Sequence, residues 1–154
     1  MTKLVRFFIA AIFAGTALGA APAVAEGPKP EVFQTEEGVA IRGYDPVAYF
    51  KAGEPVKGDP AYSTEHLGAT WLFASADNRD AFVAAPETYM PAYGGYCAYG
   101  MALGGKVPID PAAWKIVDGT LYLNVNPKVQ GWWEEDTAGY IAKADEVWPE
   151  IRNQ

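Results

Sequence analysis

Apolar positions along the chain fall into short runs whose period changes several times. Between residues 62 and 73, "YSTEH" and "ATWLFA" are joined at Leu67-Gly68, which predicts a β-hairpin. "AWKIV" and "TLYLNV" flank Asp118-Gly119, a pair suited to a type I′ turn, and predict a second hairpin. Helical spacing takes over elsewhere. In "GYDPVAYF" the Asp45 carboxylate is placed to cap free amides and Pro46 suits a first helical position, so a short helix follows and Gly53 stops it. Ser75 caps a helix through "ADNRDAFVAA" that Pro86 ends or bends, and "PETYMPAY" continues as a broken helical segment. Helices over residues 127–135 and 137–148 complete the pattern. The last is capped by Asp136 and carries Tyr140, Ile141, Ala144, Val147 and Trp148 on one face. Residues 38–42 read as a short strand. Short strands in hairpins mixed with short helices predict a small single α+β domain rather than a doubly wound sheet. The pattern contains no evident linker, low-complexity tract or internal repeat.

The first residues have a different character. Lys3 and Arg6 precede an apolar run over residues 7–20, and Ala23-Val24-Ala25 fits a small-x-small cleavage pattern. Residues 1–25 are therefore expected to be a signal peptide, which makes the mature protein periplasmic. Gly15, Gly19 and Pro22 interrupt a run barely long enough to span a bilayer, and no cysteine follows for lipid anchoring. Residues 26–37, opening with "EGPKPE", are expected to be a flexible arm, and residues 38–150 the folded domain. Cleavage leaves roughly 130 residues, enough to bury a core. It removes two bases and no acid, so the formal charge of −7 becomes more negative still. Such a chain repels phosphate backbones and anionic lipid surfaces, which excludes nucleic acid and membrane surfaces as main partners.

Candidate chemistry is concentrated in "YGGYCAYGMALGG", residues 93–105, around the chain's one cysteine. A single cysteine rules out an intrachain disulfide and a thioredoxin-type pair. Cys97 is then a buried thiol, a ligand, a reactive group or the bridge of a homodimer. The chain also holds one histidine, His66. A four-ligand zinc site from Cys and His cannot be built from these, and blue copper would need a second histidine. A low-coordinate Cu(I) site from Cys97, His66 and a methionine, Met101 or Met90, is chemically sound because soft sulfur suits that ion. Tyr93, Tyr96 and Tyr99 recur at a spacing of three and are read either as core or as the walls of a pocket around the thiol. A Cys–His hydrolase would need His66 to reach Cys97, which no spacing establishes. "GGYCAYG" lacks the lysine and hydroxyl of a phosphate-binding loop, and Glu134, Glu135 and Asp136 read as a solvated helix face and cap.

"GYDPVAYF", "GATWLFASADNRDAFVAAPETY", "PAYGGYCAY" and "DPAAWKIVDGTLYLN" together resemble the exported YHS-domain proteins, from about Val39 to Trp148. The resemblance implies a small α+β domain and a link to metal handling. It departs from the metal-binding YHS domains at the positions of their cysteines, which correspond here to Ala48, Ala74 and the Asn78-Arg79 region. Their metal site does not carry over, and Cys97 is what this chain offers instead.

The leading expectation is a periplasmic, non-enzymatic ligand-binding domain that binds or handles copper or zinc. Cys97 would be the principal ligand, His66 the second and Met101 or Met90 a weaker third, with the tyrosines walling the site. Two alternatives stand beside it. One is a thiol-dependent enzyme acting through Cys97; the other is a structural or protein-binding domain in which Cys97 is buried.

Overall fold

The computed structural model describes residues Lys29 to Gln154; the expected signal peptide and the first residues of the arm lie outside that range. The domain is α+β, with two antiparallel hairpins and a set of short helices. Helix α1 (Ala48–Lys51) precedes the first hairpin, β1 (Asp59–His66) and β2 (Ala69–Phe73). Helices α2 (Ala76–Ala84), α3 (Pro86–Tyr89) and α4 (Ala98–Ala102) lead to the second, β3 (Asp110–Val117) and β4 (Thr120–Asn124). Helices α5 (Pro127–Glu134) and α6 (Thr137–Ile151) follow. No described helix is long and apolar enough to cross a membrane.

Both hairpins turn where the sequence predicts. Leu67-Gly68 and Asp118-Gly119 each have two successive positive φ angles, the backbone twist that a two-residue hairpin loop requires. Strand β2 alternates as a half-buried strand should, with Ala69, Trp71 and Phe73 inside, while β1 is mostly exposed. Ser75, Asn126 and Asp136 cap α2, α5 and α6 by accepting from the amides of Asn78, Val129 and Gly139.

The two halves of the domain are built alike, which the hydrophobic pattern concealed. Strands β1 and β2, the bulge after Asp59, the turn and the capping Ser75 all recur 51 residues later as β3, β4, the bulge after Asp110, the turn and Asn126. Each first strand opens with Asp-Pro-Ala, whose aspartate accepts from the alanine amide, at 2.8 Å in one half and 2.9 Å in the other. Each capped helix buries one aromatic residue, Phe82 or Trp133. Upstream, Ile41-Arg42-Gly43 and Tyr93-Gly94-Gly95 are three-residue turns of positive φ throughout. They lead into Gly43-Tyr44-Asp45 and Gly95-Tyr96-Cys97. The amide of Asp45 donates to Val56 O at 2.9 Å and that of Cys97 to Val107 O at 3.0 Å. The halves share few identities, so the repeat is one of backbone conformation and capping. Hydrophobic spacing does not encode either, which is why no repeat was legible.

Two other expectations are corrected. Residues 38–42 form only isolated bridges, Gln34 with Ala40 and Val39 with Thr70, before turning at Ile41, because three positive φ angles in a row end any strand. The arm is also docked from Pro30 onward. Val32 is fully buried, Phe33 donates its amide to Gly94 O at 2.9 Å, and Pro30 O accepts from the Tyr96 hydroxyl at 2.8 Å. Val32 and the Phe33 ring offer apolar surface that a polar reading of "EGPKPE" does not foresee.

Candidate functional site

Asp45 and Cys97 hold corresponding places in the two halves, and their surroundings define what the thiol does. Asp45 is fully buried. Its Oδ1 accepts from the amides of Val47 at 2.8 Å and Ala48 at 3.2 Å, which starts α1. Its Oδ2 accepts from the Ala74 amide at 2.9 Å and from Asn78 Nδ2 at 2.6 Å, which ties α1 to the corner between β2 and α2. Ala48, Ala74 and Asn78 thus meet at one point. Here that point is a carboxylate satisfied by four N–H donors.

Cys97 does the same work with sulfur. It is 1% exposed, and its Sγ accepts from the Gly100 amide at 3.4 Å as the cap of α4. The thiol donates to Asn124 Oδ1 at 3.5 Å, and that oxygen also accepts from the Tyr99 amide at 3.2 Å. Burial pushes the thiol pKa up, opposed in smaller part by the Gly100 amide that donates to the sulfur and by the nearby amides of Val125 and Tyr99. The result is a protonated, shielded thiol. Reactive cysteines need the opposite, a lowered pKa and partial exposure. Asn124 is itself fully buried, and its Nδ2 has no hydrogen-bond partner among the described residues.

The four expected metal ligands divide into two places. Cys97 and Met101 lie within one turn of α4, the Met101 amide donating to Cys97 O at 2.8 Å, and both are buried. His66 ends β1 half-buried, its ring edge-on to Phe82 with centroids 5.7 Å apart. With Met90, Glu31, Glu87 and Tyr93 it lines a groove of about 400 Å³. Among the described residues no three His, Cys, Asp or Glu side chains are grouped to hold a metal ion.

The three tyrosines do not wall a common pocket. The Tyr93 hydroxyl donates to Asp145 Oδ1 at 2.9 Å, which anchors α6, and burial followed by that contact raises its pKa. Tyr96 reaches back to the arm, and burial pushes its hydroxyl up to about 12. Tyr99 packs on Tyr140 at 5.0 Å and on Trp132 at 6.1 Å. A spacing of three would stack them on a regular helix, but positive φ at Tyr93, Gly94 and Gly95 turns each ring in its own direction.

A cavity of about 560 Å³ lies between the arm and the second half, lined by Phe33, Tyr96, Lys106 and Pro108 among others. Sequence reasoning missed Asn124 and Lys106. Asn124 has no local signal, since it becomes a partner of Cys97 only when β4 passes α4. The chain matches no family model, no curated protein and no solved structure, so its likeness to the YHS domains rests on the motifs quoted above.

Proposed function

We propose that the chain is a non-enzymatic binding domain in which Cys97 is structural, the counterpart in the second half of the capping Asp45. The observation that carries this reading is the buried, hydrogen-bonded, protonated thiol, which is unsuited to nucleophilic attack. Full burial also argues against a bridge between two copies and against service as an open ligand. The test is alkylation of the native protein with iodoacetamide, followed by mass spectrometry. Modification should run at least about a hundredfold slower than in urea, because it must wait for the core to open. Rapid labelling of the folded protein would overturn the reading in favour of a thiol enzyme.

One observation favours a narrower version. His66 and Met90 share a groove edged by the carboxylates of Glu31 and Glu87. An imidazole nitrogen with a thioether sulfur suits a soft ion such as Cu(I), whereas zinc would want a fuller set of ligands. Copper and zinc content of protein isolated without chelators, and Cu(I) uptake by wild type, His66→Ala and Met90→Leu, test this. Uptake lost in both variants supports copper handling at this groove; a wild type that takes up no copper ends it.

A further inference from the structure

Lys106 lies in the loop between α4 and β3, just before Val107, whose carbonyl accepts from the Cys97 amide. Its ammonium reaches two segments far apart in sequence. On one side it donates to Lys29 O at 2.8 Å and Pro30 O at 3.2 Å, both in the arm. On the other it donates to Arg152 O at 2.7 Å and Gln154 O at 3.3 Å, just past the end of α6. Lys29 returns the contact, its ammonium donating to Lys106 O at 3.0 Å. The Lys106 charge also lies over the Tyr96 ring at 5.6 Å and the Trp148 ring at 5.9 Å, one aromatic beneath each segment.

Three ammonium protons are shared among four carbonyl oxygens, and the two shortest contacts go one to each segment. The carbonyls past α6 are the unpaired, partly negative end of a helix, which a cation satisfies well; here the cation comes from a distant loop. Partial burial draws the Lys106 pKa below its ordinary value of 10.5. Lys29, Pro30 and residues 33–36 of the arm form one wall of the cavity, and Tyr96, Lys106 and Pro108 line the other.

We propose that Lys106 is a clasp that docks the arm and the end of α6 as one cooperative unit, so that the cavity under the arm exists only while both are in place. Phe33 of the arm and Trp148 and Ile151 of α6 pack against one apolar cluster, but among the described residues Lys106 is the polar group that bonds both segments. When the helix end frays, the lysine loses its carbonyl partners there and its position above the arm; when the arm lifts, the helix end loses its cap.

The test is hydrogen exchange read by mass spectrometry on wild type, Lys106→Met, Tyr96→Phe and the double variant. Methionine keeps the stem over the rings and removes the charge. The reporters are the Phe33 and Thr35 amides, bonded to Gly94 O and Val39 O, and the Arg152 amide, bonded to Trp148 O. In Lys106→Met both sets should exchange about tenfold faster or more, while the hairpin amides keep their rates. Tyr96→Phe removes only the hydroxyl bond to Pro30 O, yet it should quicken Arg152 when Lys106 is present and add nothing there when Lys106 is replaced. Acceleration of one segment alone, of neither, or of the hairpins together with both would overturn the clasp, as would an Arg152 amide that ignores Tyr96→Phe.

Discussion

Replacing Asp45 by asparagine changes one atom in a carboxylate that receives four N–H groups and has no exposed surface. Whichever way the new amide is turned, its NH2 faces two donors. If it replaces Oδ2, Asn78 can rotate its own amide to offer an oxygen, at the expense of its 3.3 Å contact with Lys51; the Ala74 amide cannot adapt. If it replaces Oδ1, the amides of Val47 and Ala48 at the start of α1 are orphaned instead. The first arrangement is the less damaging and still leaves one backbone N–H without an acceptor, for about 1–3 kcal/mol. The remaining bonds lose their charge assistance, so the total loss should be about 2–4 kcal/mol. That is a large share of the roughly 5–15 kcal/mol typical of a domain. Urea unfolding followed by fluorescence measures it, as a lower midpoint at unchanged slope. Asp45→Ala, which orphans all four donors, should lose more. In a double-mutant cycle Asp45→Asn and Asn78→Ala should be coupled by about 1 kcal/mol. An Asp45→Asn variant within about 0.5 kcal/mol of wild type would refute the view that this carboxylate joins α1 to the first hairpin.

Gly94 has φ +61°, and a Cβ there would press into the Glu31 carbonyl, so Gly94→Ala should lose about 2–4 kcal/mol and free the arm to proteolysis. Gly119→Ala, where φ is +79° and nothing lies within 4 Å, should lose only about 1 kcal/mol; equal losses would contradict a backbone clash at Gly94. Stability should also fall at alkaline pH. A buried thiol with a raised pKa stays protonated in the fold while the unfolded chain ionises, so its contribution holds below the ordinary value of 9.0 and is lost as pH climbs past it. Tyr49, Tyr93 and Tyr96, all raised by burial, add the same trend above 10.0. Unfolding at pH 7, 9, 10 and 11 should show Cys97→Ala losing the earlier part of this decline and keeping the later; superimposable profiles would exclude the thiol as its source.

The sequence by itself determined the hairpin turns and most of the helix starts, whose signals are local. Leu67-Gly68 and Asp118-Gly119 dictate tight hairpin turns, and Ser75, Asp136 and Asp45-Pro46 mark helix starts, because a turn or a cap is closed by residues two or three apart. The α+β class followed from the same signals. What tertiary structure alone decided are the relations between segments. It separated Cys97 from the groove of His66 and Met90, sent Tyr93, Tyr96 and Tyr99 to three different partners, and docked the arm onto the second half. It also put Cys97 in the place of Asp45, although nothing in local spacing relates a thiol to a carboxylate. The physical reason is that a helix cap needs only an acceptor aimed at free amides. Oxygen and sulfur both serve, and the likeness appears only when the two backbones fold the same way around them.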